Sequence, residues 1–214
     1  MLVKSFHILN MRFDQLSKLF DNEYRLANSV GLDRAKRWHS LEGLLSVAWQ
    51  TWCWFCRDAI HSSCNGTATL EGVVVPAIAS PPSYGRIAYV TKQRMQGKRI
   101  KPFTELQVHQ EPTWGDPQVL LEAVDEFAPA NSSSLIAGLK YASFAPEHMR
   151  CVRSAVAHFS KPNIDKVKRI SVYYTGSNFF HPLDFLYWTR KGTGEDAFLD
   201  WLEDLRDMAD TMCR

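Results

Sequence analysis

The apolar positions of this chain recur at three- and four-residue steps over much of its length, the mark of helices that bury one face. Over residues 11–30 the stripe is Phe13, Leu16, Leu19, Phe20, Ala27 and Val30, with Asp14, Lys18, Asp21 and Arg25 on the other side and Gly31 as the expected stop. Residues 32–38 read as a charged connection. Residues 40–63 carry the densest stripe: Leu41, Leu44, Leu45, Ala48, Trp49, Trp52, Phe55, Cys56, Ala59 and Ile60, with Ser40 as cap. Trp49, Trp52, Trp54 and Phe55 each remove a large apolar area from water when buried, so this is the expected central helix of a bundle. Asp116-Pro117 opens a helix running to about Phe127, with Asp as cap and Pro at the first position. Asn131 and the serines after it cap another, with Leu135, Ile136, Leu139 and Tyr141 leading to Phe144. The last helix, about residues 195–212, turns Phe198, Trp201, Leu202, Leu205, Met208 and Met212 inward. Its other face is acidic, so nucleic acid is expected to approach from elsewhere.

Residues 65–115 break the periodicity, with Asn65-Gly66, Pro76, Pro81, Pro82, Gly85, Gly97, Pro102, Pro112 and Gly115 as punctuation. Val73–Val75 and Ile87–Val90 read as short strands or covering loops. From Gly72 to Thr104 there is no acid, but Arg86, Lys92, Arg94, Lys98, Arg99 and Lys101 supply positive charge. Two readings stand: a phosphate-tracking loop with Tyr84 and Tyr89 as stacking platforms, or a solvated insertion. In residues 163–192, Ile170–Tyr174 reads as a short strand, and His181 has no evident partner. The fold class is all-α: a single domain over residues 1–214, built from a bundle of four or five main helices with an irregular, basic insertion at 65–115.

Composition narrows the function classes. The 214 residues are 45% hydrophobic and 22% charged, with a net charge of +2, ordinary values for a globular chain with no global field toward a polyanion. No apolar run reaches the roughly 18–20 residues that span a bilayer, and no signal peptide is evident at the N-terminus. Five cysteines, an odd number, with Cys53 and Cys56 inside a helical pattern, point to reduced thiols and a cytoplasmic setting. Cys53, Cys56, His61 and Cys64 imitate a zinc spacing, but the last interval is short and no glycine turn separates the first pair, so no metal is expected. Arg57 and His61, one turn apart, read mainly as surface or interface groups. Walker A, dinucleotide-binding, G-x-S-x-G and H-E-x-x-H motifs are absent, and no cofactor is expected.

Chemistry gathers in Pro146–Pro162. Pro146 suits the first helical position, Glu147 suits the positive end of the helix dipole, and Pro162 limits the helix to about Ser160. Met149, Val152, Val156 and Phe159 form the apolar stripe. Arg150, Arg153, Ser154 and His158 lie off it: fixed cations, a hydroxyl and an imidazole, the groups a phosphodiester-cleaving site needs. Arg153 and His158 are separated by about 7.5 Å of rise and about 140° around an ideal helix, so they meet one phosphate only with the help of side-chain reach or a second helix copy. The same spacing recurs at Arg34 and His39. Lys161, Lys166, Lys168 and Arg169 add positive charge just after His158.

Arg153–His158, R-S-A-V-A-H, resembles the R-x4–6-H motif of the HEPN superfamily (higher eukaryotes and prokaryotes nucleotide-binding domains), as does the order of long helices, a late motif helix and a closing helix. Ser154 is polar, as that family's residue after Arg usually is. Ala157 stands where one toxin branch has Tyr, so that branch's chemistry is not implied. The resemblance implies a metal-independent endoribonuclease working at a composite homodimer site, with Arg153, Ser154 and His158 as catalytic residues and the RNA 2′-OH as nucleophile. It also implies a role in host defence or a toxin–antitoxin pair, with a nucleotidyltransferase-like antitoxin or another regulatory protein as partner. Arg150, Lys161, Arg94, Lys98, Arg99 and Lys101 are the expected RNA-binding residues. The alternative is a non-catalytic helical module that regulates or that binds nucleic acid or a partner.

Overall fold

The computed structural model describes residues 2–29, 34–141, 143–176 and 179–214, with the side chains of residues 26–29, 34 and 35 excepted. The chain is mainly helical, as expected. Backbone proximity divides it into two compact units: Met1–Asn10, Thr51–Ala142 and Arg206–Arg214 form unit 1; Met11–Gln50 and Ser143–Leu205 form unit 2.

Helix α1 (Leu2–Ser29) and helix α2 (Arg34–Asn65) both contribute to each unit. Both start earlier than the pattern suggests. In α1 the buried series Leu2, Leu9, Phe13, Leu16 and Phe20 extends the stripe to the N-terminus, whereas Leu19 is exposed. In α2, Arg34–Trp38 is helical rather than a connection, and Ser40 lies inside the helix instead of capping it. The proposed stop at Gly31 and the stripe position Val30 fall outside the described residues.

In unit 1, the end of α2 leads into a two-stranded antiparallel hairpin, β1 (Thr67–Ala68) and β2 (Val74–Val75), with Thr67 opposite Val75. Helix α3 (Tyr84–Met95) follows, and it corrects the irregular reading of this stretch. Ile87–Val90 is neither strand nor loop but part of α3. The Ser83 hydroxyl accepts from the Arg86 amide at 3.0 Å to cap that helix just after Pro81-Pro82. Its five contiguous buried residues, Ile87 to Thr91, hide the helical period. Helix α4 (Pro117–Phe127) packs on α3, and its Asp116 carboxylate caps the Gln118 amide at 3.1 Å. Helix α5 (Ser132–Leu139) ends before Phe144, and Asn131 spends its amide on the Ser63 hydroxyl at 3.1 Å rather than on a cap. Trp52, Phe55, Ile60, Leu120 and Leu135 are among this unit's fully buried side chains, each worth about 1.5–3 kcal/mol of transfer.

In unit 2, helix α6 (Ala145–Ala157) and helix α7 (Lys161–Ile170) pack together as a short hairpin. A 3-10 turn at Ser171–Tyr173 leads to β3 (Tyr174–Thr175), which pairs antiparallel with β4 (Thr189–Arg190). Ile170–Tyr173 is therefore helix and turn, and only Tyr174 of that expected strand is extended. A second 3-10 turn spans Pro182–Tyr187. Helix α8 (Ala197–Cys213) starts in unit 2 and ends in unit 1. Phe185 stacks on Trp201 at 5.9 Å and Phe20 packs tilted against Phe198 at 5.0 Å, both within unit 2. Asp200 and Asp204 do not simply face out: both accept from Arg190 of β4, at 2.5 and 2.6 Å. Among the described residues no helix is long and apolar enough to cross a membrane.

Candidate nucleic-acid interface

Helix α6 is built as its sequence suggests at the front and differently at the back. Pro146 sits in the first turn with Glu147 beside it. The helix stops at Ala157, because Ser160 and Pro162 open α7 rather than merely closing α6. Phe159 therefore leaves the buried stripe and is 70% exposed. The buried face is instead Ala145, His148, Met149, Val152 and Ala155. His158 is the exposed C-terminal cap, its amide donating to the Ser154 carbonyl at 2.9 Å. Asn163 of α7 braces this corner: its amide donates to the carbonyls of His158 at 2.9 Å and Ser154 at 3.3 Å.

Between α6 and α7 lies a cleft of about 410 Å³. Glu147, Arg150, Cys151 and Ser154 form one wall. Asn163, Lys166 and Arg169 form the other, and Phe144, His148, Ile170 and Tyr173 complete the lining. Of the expected site residues, Ser154 and Arg150 thus meet in one cleft, one turn apart on α6. Arg153 and His158 are not in its lining and share no hydrogen bond. Arg153 is half-buried, with its Nε buried and unbonded. Lys161 is exposed at the start of α7. Lys166 and Arg169 are exposed, and no ion pair ties either to a carboxylate among the described residues.

His148 was not a sequence candidate, yet it is the most constrained polar group here. It is 2% exposed, and its Nδ1 lies 2.8 Å from the Tyr174 hydroxyl. That hydroxyl oxygen accepts from Trp201 Nε1 at 2.7 Å. An indole nitrogen only donates, which leaves the Tyr174 proton free for His148 Nδ1 and favours the tautomer with the imidazole proton on Nε2. Burial first, and the Arg190 guanidinium second, lower the His148 pKa to about 4, so the ring is neutral at pH 7. Burial raises the Cys151 thiol pKa, Glu147 adding to this and Arg150, Lys166 and Arg169 opposing it. The signal for His148 was its place: a histidine three residues after Ala145 and four before Val152, on the apolar face, must find a partner.

The other candidates have structural partners. Arg94 pairs with Asp125 at 2.8 Å and Glu126 at 3.2 Å in unit 1, while Lys98, Arg99 and Lys101 are exposed after α3. The two tyrosines do not present stacking faces: Tyr89 is 6% exposed, and Tyr84 packs on His61 at 3.6 Å with Arg57 over its ring at 4.1 Å. Arg57 also bonds Glu111 at 2.6 Å, so Arg57 and His61 join α2 to α3 and to the segment after it. His181 does have partners: it stacks on Trp38 at 4.5 Å, and its Nδ1 accepts from the Leu183 amide. Cys56, Cys64 and Cys213 are buried, and Cys53 and Cys151 are half-buried. The chain matches no family model, no curated protein and no solved structure.

Proposed function

We propose that this chain is an RNA-binding helical protein that cuts RNA without a metal, using the surface of α6 and α7. One observation carries the reading. Arg150, Arg153, Lys161, Lys166, Lys168 and Arg169 crowd onto two consecutive helices that carry only two acids, Glu147 and Asp165, and an exposed imidazole and a hydroxyl stand where the helices join. Such a surface attracts a polyanion through counterion release. His158 then takes the proton from the 2′-OH and returns one to the leaving 5′-oxygen, Ser154 orients the phosphate by hydrogen bond, and Arg153 offsets the charge that develops on it. The products are a cyclic phosphate and a 5′-OH end, and DNA, lacking the nucleophile, survives. Because Arg153 does not line the cleft that holds Ser154, the reading requires a homodimer in which one copy supplies what the other lacks.

The position of Arg153 and His158 outside the cleft favours one second reading, a module that binds nucleic acid without cutting it. A mixed RNA pool incubated in excess EDTA with wild type and with His158→Ala separates the two. Cleavage by wild type alone, leaving cyclic-phosphate ends, supports the ribonuclease. Binding by both with cleavage by neither supports the module.

A further inference from the structure

The segment after α3 holds an aromatic ring out in solvent against backbone strain. Past the left-handed turn at Gly97, residues 98–103 run over the surface of unit 1 with only Ile100 partly covered. This backbone is clamped. The Lys101 amide donates to the Tyr89 hydroxyl at 3.0 Å, and Arg86 donates to the carbonyls of Lys101 at 2.7 Å and Thr104 at 3.1 Å. Between those anchors Phe103 sits at φ +53°, a region that bulky side chains disfavour, and it is 98% exposed. A hollow of about 720 Å³ with Ile78, Pro81, Pro82 and Phe127 in its walls lies beside the ring, yet the ring is not packed into it. Burial does not explain such a residue, and strain of this kind clusters where a side chain meets something outside the fold. Lys98, Arg99 and Lys101 stand just before it, exposed, and no ion pair ties any of them to a carboxylate among the described residues. The two carboxylates lining the hollow are engaged: Glu126 pairs with Arg94 at 3.2 Å, and Glu105 accepts from the Ser83 hydroxyl at 2.7 Å.

We infer that this tip docks on an anionic lipid surface. Phe103 enters the boundary between headgroups and acyl chains, and Lys98, Arg99 and Lys101 lie against the negative headgroups. Charge complementarity and the form of the apolar part select this partner. Pro81 and Pro102, exposed on the rim of the same hollow, add apolar surface and no N–H donor, which suits hydrocarbon rather than base edges or phosphates. A ring open to solvent over nearly its whole surface suits insertion, where every face is covered. Each cation at an anionic bilayer strengthens binding about fivefold, and one buried phenyl ring about tenfold or more. One apolar anchor beside a basic patch gives weak, reversible attachment to the membrane surface. The inference is independent of the RNA reading, since the tip belongs to unit 1 and α6 and α7 to unit 2.

Co-sedimentation of the full chain with sucrose-loaded vesicles tests this, using phosphatidylcholine alone and phosphatidylcholine with about one-third phosphatidylserine. The mixed vesicles should bind the protein, those of phosphatidylcholine alone at least about tenfold more weakly, and added salt should release it. Phe103→Ser should weaken binding to mixed vesicles about tenfold, whereas Phe103→Trp should preserve it and gain fluorescence that spin-labelled lipid quenches beyond the wild-type level. Lys98→Glu together with Lys101→Glu should weaken it at least about tenfold. Phe103→Gly should lose binding without lowering Tm, because glycine adopts that φ freely. Absence of binding to mixed vesicles, equal binding to both kinds, or salt-sensitive binding that Phe103→Ser leaves unchanged overturns the assignment. A Tm several degrees lower in Phe103→Gly would make the ring structural and overturn it too. Loss of affinity for an RNA oligomer in Phe103→Ser, with no vesicle binding by wild type, would give the tip to nucleic acid instead. None of these outcomes bears on RNA cleavage by His158.

Discussion

Lowering the pH from 7 to 5 should cost this protein about 2 kcal/mol through His148 alone. The folded ring has a pKa of about 4 against an ordinary 6.5. Between those values the unfolded chain binds a proton that the folded chain refuses, so stability is fully present above pH 6.5 and is lost as the pH falls toward 4. Integrated from pH 7 to pH 5 the loss is about 2 kcal/mol, and it levels off near about 3 kcal/mol below pH 4, where both states are protonated. Protonation would also turn Nδ1 from acceptor to donor and oblige the Tyr174 hydroxyl to turn away. The control is His148→Phe, which keeps a ring in the core and cannot titrate. Urea unfolding of both proteins at pH 7, 6 and 5 gives the comparison. At pH 7 the variant should be the less stable by about 1 kcal/mol, for the lost hydrogen bond. By pH 5 the order should reverse. Burial also lowers the pKa values of His61 and His181, but their contributions are common to both proteins and cancel in the difference. Parallel stability curves for the two proteins would refute the buried neutral imidazole and the proton placement derived from it.

Further outcomes follow from the same geometry. His158→Ala should lower RNA cleavage by about 100-fold or more while leaving Tm within a degree or two, since the side chain is exposed and only the backbone amide caps α6; single-turnover rates and a melt check both halves. RNA affinity should fall steeply between 50 and 200 mM salt, and Lys161→Ala and Lys168→Ala should each reduce the slope of log affinity against log salt by about one, read by fluorescence anisotropy. Gly138→Ala should destabilise by about 1–3 kcal/mol in urea, because a Cβ there would overlap the Met212 side chain and the Met208 carbonyl of α8. Tyr84→Phe should cost about 1–2 kcal/mol by removing the 2.6 Å bond its hydroxyl donates to Asp58, a carboxylate that also accepts from Ser5.

Periodicity made the long helices legible, and it failed wherever burial was not one-sided. The stripe of α8, Phe198 to Met212, is buried as its spacing implies. The α4 cap at Asp116-Pro117 works as its residues suggest, because capping depends on local chemistry alone. Helix α3 was hidden because five consecutive residues are buried, which erases the 3.6-residue period and imitates a buried strand. The start of α2 was hidden because Arg34–Trp38 is charged, and charge on a helix looks like charge in a loop. At the candidate site, Arg150 and Ser154 were legible as polar residues outside an apolar stripe. His148 was not, because its importance comes from Tyr174 and Trp201, which lie 26 residues and more away in sequence. The tyrosines expected to stack on bases failed for the same reason: nothing local says that Tyr84 meets Arg57 and His61.

The brace at Asn163 bears on how this surface can change over evolution or by design. One amide holds two main-chain carbonyls, those of Ser154 and His158, so the offset between the end of α6 and the cations of α7 is written in backbone atoms. Side chains along the outward edge of α6 can then be exchanged without shifting that offset. The backbone frame of the corner should therefore hold under substitution at positions 153, 154 and 157, even where the chemistry proposed for Arg153 and Ser154 is lost, while remaining sensitive at 163. A library randomised at the first three would sample new ligand preferences on a constant frame.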